Sequence, residues 1–290
     1  MSDQALRLRE LARRFPFEKK EQITTGPRIL AVASGKGGVG KTSLVVNLAI
    51  AIAQQGQRVV IFDADLGLAN IDILLGLIPR FTLHDVFLGH KDIDDIILEG
   101  PHNVLVIPGG SGVQELANMD YYQRQRLIEG LGRFRNRTDY LIIDTGAGIS
   151  RNVLGFLGAA QEVVMVVTPE PTAITDAYGI IKILSKFSAQ SQIKIVVNRA
   201  SSWSEAKNTM TKLERAAERF LQVQVYPLGY VREDKTVAQA VKEQEPLVLK
   251  YPHADASQDI FRLAGVILNV NVEPPRGMNH FLNRLVRLFS

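Results

Sequence analysis

The run Gly35-Lys36-Gly37-Gly38-Val39-Gly40-Lys41-Thr42 leaves this chain few folds to choose from. It fits G-x-x-x-x-G-K-[ST], a phosphate-binding loop, and that loop works only between a strand and a helix. Both flanks are present. Ile29–Ala33 is an apolar, β-like run, and from Ser43 to Ala51 the pattern is helical. Glycines let the backbone curl so that its N–H groups point inward at an anion, and the helix start adds its positive dipole end. Residues 35–43, Ser43 included, are therefore expected to line a nucleotide site. Lys41 lies toward the β- and γ-phosphates, and the Thr42 hydroxyl is a Mg²⁺ ligand. A glycine-rich turn with a chance lysine would not need these flanks.

The rest of the chain supplies the matching architecture. Strand-like runs occur at Ile29–Ala33, Arg58–Phe62, Val104–Ile107, Tyr140–Ile143, Val163–Val167, Ile193–Val197 and Val225–Leu228. Most are continuous Val, Ile and Leu, as in parallel strands covered on both faces. Helical patterns sit between them at Ser43–Gln54, Tyr121–Phe134, Thr172–Phe187, Ser204–Phe220 and Ala256–Leu268. This alternation predicts an α/β fold: a doubly wound, mostly parallel sheet flanked by helices, with ligands at the carboxyl ends of the strands. With 290 residues, 46% of them hydrophobic and 22% charged, one large soluble domain is expected. There is no cysteine, which excludes disulfides and Cys-ligated metal or iron–sulfur sites and is compatible with a reducing cytoplasm. The five histidines show no ligand spacing, no signal peptide is evident, and no apolar run reaches transmembrane length.

Three strand ends carry further candidates. The second strand ends Asp63-Ala64-Asp65, followed by Asn70 and Asp72. Asp63 and Asp65 are expected to diverge, one supporting the Mg²⁺ shell and the other facing the γ-phosphate; the alternative is that they only cap the next helix. Tyr140-Leu141-Ile142-Ile143-Asp144 is four apolar residues ending in an acid, which places Asp144 on Mg²⁺ or its bound water. Gly146 and Gly148 behind it give a backbone able to donate an N–H to the γ-phosphate. At the sixth strand end, the Asn198 amide can pair with adenine and the Arg199 plane can stack on it. Asn198 is followed by Arg199-Ala200-Ser201, so the guanine-reading N-K-x-D is absent and ATP is the expected nucleotide.

Lys36, directly after the first glycine, is not required by an ordinary phosphate loop. With it, residues 36–42 resemble the deviant Walker A loop of the MinD/ParA class of P-loop ATPases. The resemblance implies slow, dimer-dependent hydrolysis of ATP to ADP, with Lys36 reaching the partner subunit's phosphates and acting as an arginine finger does. It also implies that Asp65 orients or deprotonates the attacking water, with Asn70 helping to hold water or phosphate. It assigns Asn198 to adenine and places backbone contacts near Val231 and Arg232.

The tails extend the resemblance. After Pro274-Pro275-Arg276-Gly277, the residues Met278, Phe281, Leu282, Leu285, Val286, Leu288 and Phe289 recur at helical spacing, with Arg284 and Arg287 opposite. Such a helix can lie in a membrane interface with its arginines near anionic headgroups, or dock on its own body, or exchange between the two. The N-terminal Asp3, Gln4, Ala5, Leu8 and Arg9 match the D-Q-A-x-x-L-R element of the FlhG (FleN/YlxH) family, MinD-like ATPases that control flagellar number and placement. In that family the element contacts the signal-recognition-type GTPase FlhF; the flagellar C-ring proteins FliM and FliY/FliN are the other implied partners. Three segments are expected: a basic extension at 1–28, the ATPase domain at 29–273 and the amphipathic helix at 274–290. Each tail carries a net charge of +3 in a chain of +4, leaving the body at about −2. That balance disfavours a nucleic-acid-binding, ParA-type segregation ATPase. A division-site MinD would lack the D-Q-A-x-x-L-R element, and a binding-only scaffold would not need Lys41, Thr42, Asp65 and Asp144. The expected place of action is the cytoplasm and the inner face of the cell membrane.

Overall fold

The computed structural model describes residues 26–65, 70–110, 121–186, 191–269 and 276–289. The expected partner element of Asp3, Gln4, Ala5, Leu8 and Arg9 lies outside these residues, as does the side chain of Phe289. The strands are β1 (Arg28–Ala33), β2 (Val59–Ala64), β3 (Leu98–Glu99), β4 (Leu105–Ile107), β5 (Tyr140–Thr145), β6 (Glu162–Val167), β7 (Gln192–Ala200) and β8 (Val225–Arg232). They form one sheet in the order β3-β4-β2-β5-β1-β6-β7-β8, parallel throughout except for β3 against β4. The sequence pattern locates every strand but β3, which at two residues is too short to show a period.

The helices are α1 (Lys41–Ala53), α2 (Ile71–Leu74), α3 (Leu83–Phe87), α4 (Ile93–Ile96), α5 (Tyr121–Gly132), α6 (Arg151–Ala159), α7 (Pro171–Lys186), α8 (Trp203–Leu221), α9 (Lys235–Glu243), α10 (Leu247–Lys250), α11 (Asp255–Asn269) and α12 (Gly277–Phe289). Two apolar cores result. One packs α5–α8 and α12 on one face of the sheet; the other packs α1 and α9–α11 on the opposite face. Every residue of β1, β2, β5 and β6 is buried, which is why those runs are apolar without alternation. Helix α1 is wedged between sheet and α11, and Leu44 through Ile52 are all buried, so it has no polar face.

The pattern reading misses α6, whose Gly155 and Gly158 lower its helix propensity. Gly158 has a packing reason. A methyl group there would sit 2.9 Å from Leu288 Cδ1 on α12. Helix α12 itself lies on α5, α6 and β1, and Met278, Phe281, Leu282 and Leu285 are at most 6% exposed. Val286 and Leu288 are half-buried at its margin. Of the placements open to this segment, the described one is docking on its own body.

Candidate nucleotide-binding site

The candidate residues converge at the carboxyl ends of β1, β2, β5, β6 and β7. Gly38 and Gly40 have φ of +79° and +86°, left-handed values that only glycine adopts freely. A methyl group at Gly35 would lie 2.4 Å from Asp176 Cβ and 2.7 Å from the Ala177 nitrogen, so α7 packs directly on the loop's entrance. The two lysines of the loop face opposite ways. Lys41 is buried, with Nζ 2.5 Å from Asp144 Oδ1. The Lys36 side chain is 37% exposed, with Nζ 2.5 Å from Glu170 Oε2 and 3.4 Å from Thr172 Oγ1. The Lys36 hydrogen bond, then its charge, hold the Glu170 carboxyl below its ordinary range.

The acids are arranged by strand register. Asp63 on β2 pairs directly with Asp144 on β5, so the two buried carboxyls share one side of the sheet. Burial, then the Asp144 charge, push Asp63 up to about 8. Burial also raises Asp144, against the opposing pull of Lys41 and, less, Thr42. Asp63 Oδ1 accepts from the Asp65 N–H at 3.2 Å, and Oδ2 accepts from the Asn70 and Ile71 N–H groups at 3.3 and 3.5 Å. Asp63 thus ties together the two ends of the segment from 65 to 71, a role the sequence reading did not give it. Residues two apart on a strand share a face, so the pleat by itself would not make Asp63 and Asp65 diverge; Asp65 lies just beyond the end of β2 at Ala64. Asp65 is half-buried, and a methyl group at Gly146 would sit 3.4 Å from its Oδ1. The glycine turn after β5 is tied back to the loop by the Gly148 N–H donating to the Ser34 carbonyl at 3.0 Å.

A cavity of about 960 Å³ opens beside the loop, lined by Gly40, Ser43, Asn198, Arg199, Val231 and Arg232 among others. Asn198 Nδ2 donates to the Val39 carbonyl at 2.7 Å, so this residue braces the loop as well as lining the cavity. Between Asn198 and Ala200 the register with β8 shifts. The extra residue is Arg199, exposed and left-handed at φ +57°. Such a bulge re-aims a side chain at a strand's end. Arg232 also serves the fold. Its guanidinium reaches Asp255 and Asp259, and its N–H donates to Asp259 Oδ2 at 3.0 Å. That N–H is committed to α11, so backbone contact with a base from this residue is left to its carbonyl.

The residues fit a magnesium nucleotide. Asp144 Oδ2 is buried with no hydrogen-bond partner among the described residues, and Asp63 and Asp144, side by side on β2 and β5, each disfavour ionisation of the other. A cation or its bound water would satisfy the first and relieve the second. Among the described residues no three His, Cys, Asp or Glu side chains cluster as a metal cage. Mg²⁺ takes one or two protein ligands and completes its shell with phosphate and water, so Thr42 and Asp144 suffice on the protein side. Glu170, which holds Lys36, is the residue at the loop that the sequence reading missed; the available signal was its position just past the end of β6, where ligands of such sheets gather.

Known proteins agree with this geometry. The CobQ/CobB/MinD/ParA nucleotide binding domain family matches residues 30–247. Antiactivator FleN of Pseudomonas aeruginosa is 40% identical over 265 residues, covering 90% of this chain and 94% of FleN. The flagellum site-determining protein YlxH of Helicobacter pylori is 32% identical over 267 residues, covering 90% of each. The crystal structure of the cell division ATPase MinD of Pyrococcus furiosus superposes with a TM-score of 0.68 at 27% identity, covering 83% of this chain and 98% of MinD. A phosphate loop with two lysines, paired acids on the adjacent strands β2 and β5 and these relatives lead to one conclusion: the chain belongs to the CobQ/CobB/MinD/ParA family of nucleotide-binding ATPases and is a homologue of antiactivator FleN and of the flagellum site-determining protein YlxH.

Proposed function

We propose that the protein is an ATP-driven dimerising switch that regulates flagellar number and placement. The observation that carries this reading is the opposed pair of lysines. Lys41 points in, onto the acid at the base of the site; Lys36 sits outside on an exposed glutamate, where a second copy of the chain can reach it. Lys41 and the loop N–H groups hold the β- and γ-phosphates of ATP, and Asn198 and Arg199 hold its base. Thr42 and Asp144 hold Mg²⁺, which supplies charge neutralisation for the phosphates. Asp65 orients the attacking water, with Asn70 beside it, and Gly146 donates to the γ-phosphate. Lys36 leaves Glu170 and meets the terminal phosphate of the partner subunit, adding charge where the transition state gathers it.

Dimerisation presents two copies of α12, and two weak anchors bind a membrane far better than one. The face seen docked on α5 and α6 is then exchanged for anionic lipid, bringing the protein from cytoplasm to the inner membrane face. The likeness to the flagellum site-determining protein YlxH supports the flagellar context; in this reading FlhF is engaged through Asp3, Gln4, Ala5, Leu8 and Arg9, and the C-ring proteins FliM and FliY/FliN are further partners. Light scattering with a non-cleavable ATP analogue tests the core of this reading. The wild type should pair, Lys36→Ala should bind nucleotide but not pair, and equal loss of both would refute the contact in trans. Deleting residues 2–20 should abolish stimulation of FlhF GTPase activity while sparing basal ATPase; stimulation that survives would remove the partner assignment.

A further inference from the structure

The amino-terminal end of the sheet, far from the phosphate loop, carries a second cleft of about 490 Å³. Arg28 at the start of β1, Arg58 just before β2 and Arg135 beyond α5 line it, together with Asn136, Thr138 and Asp139. The local charges do not cancel. Arg28 and Lys194 share the single buried carboxylate of Glu162, a trio with one positive charge left over. Arg58 is matched by Asp139 at 2.7 Å. Arg135 has no counter-ion among the described residues, and its Nε is buried without a hydrogen-bond partner. Two positive charges are therefore in excess around one concave site.

The start of α12 borders the same place. A methyl group at Gly26, a lining residue, would meet Gly277 Cα at 2.7 Å, and the Arg276 N–H donates to Gln161 Oε1 at 3.1 Å. Arg284, on the same helix, feels both its own burial and the Arg276 charge. Cations thus continue from the cleft onto the helix. A phosphate monoester carries about 1.5 to 2 negative charges at neutral pH, and its oxygens match the planar guanidinium fork. A single carboxylate would leave one of the two excess charges unanswered.

We propose that this cleft binds a phosphate monoester, carried either by a soluble molecule or by a lipid headgroup. The site rests on its own residues and stands whether or not the protein is an ATP-driven switch. The test uses the full chain with Mg-ADP saturating the phosphate loop, so that loop cannot take the probe. Glycerol 3-phosphate is titrated calorimetrically, and sedimentation is compared for phosphatidic acid and phosphatidylcholine vesicles. Arg135→Ala should weaken binding about tenfold, as expected for a lost charged hydrogen bond, and Arg135→Lys should weaken it less. Asn136→Asp places an acid in the cleft from an exposed position and should weaken it too, which keeps the test open if Arg135→Ala fails to fold. Arg135-dependent binding of the soluble ester assigns a free metabolite; Arg135-dependent binding of phosphatidic acid vesicles alone assigns a headgroup. Failure to bind either probe, or binding indifferent to both Arg135 and Asn136, overturns the proposal.

Discussion

Lys36 illustrates how far a single residue can be read. Its place in the sequence marks the loop as unusual, but its partner in the folded chain is Glu170, 134 positions away. An exposed ion pair of this kind is weak, so it can hold Lys36 without trapping it. Glu170→Ala should therefore change analogue-driven dimerisation by less than about fivefold, measured by light scattering. A collapse of dimerisation would instead place Glu170 in the interface itself. For Asp65, the assigned work is on water, not on ATP. Asp65→Ala should retain nucleotide affinity and lose about a hundredfold or more in turnover, measured as phosphate release; undiminished turnover would free Asp65 of that role. Asp63 was legible as a site residue but not in its task, because its partners are backbone N–H groups that only the folded loop brings back to it.

At the scale of elements, the long apolar strands and α1 were legible because burial on both sides leaves a continuous apolar run. Short elements were not: β3 spans two residues and α2, α4 and α10 four each, less than is needed to show a period. Helix α12 was legible as amphipathic, yet an apolar stripe does not name the surface it meets. In the folded chain that surface is α5 and α6, and Phe281 is 1% exposed against them. Phe281→Ala should cost about 3–5 kcal/mol in urea unfolding. A cost below about 0.5 kcal/mol would mean that the helix spends its time off the body in solution. In the proposed cycle, the same burial is the cost that a lipid surface would have to offset before α12 could leave the body.

For the molecule as a whole, the two ends of the sheet divide the labour. The carboxyl ends hold the nucleotide site; the amino ends hold the buried trio of Arg28, Glu162 and Lys194, which locks β1, β6 and β7 together. Burial alone would raise the Glu162 carboxyl, but Arg28 and Lys194 outweigh it and hold it below its usual value of 4.5. A carboxyl depressed in the folded state stabilises above its unfolded value and loses that stabilisation as pH falls through the folded one. Melting temperature should thus drop as pH falls below about 4.5. Glu162→Gln should be less stable at neutral pH, where two buried cations lose their counter-ion, and flatter with pH in the acid range. An unchanged acid slope in calorimetry would show that other carboxylates dominate acid unfolding. What the sequence by itself determined is the phosphate loop, the β/α alternation and the acids at strand ends, because each is encoded within about ten consecutive residues by spacing and polarity. Tertiary structure alone decided that Asp63 faces Asp144, that Glu170 holds Lys36, that α12 lies on α5 and α6, and that three arginines share a cleft. Those pairings join residues far apart in the chain, and only the register of the sheet and the packing of its two faces bring them together.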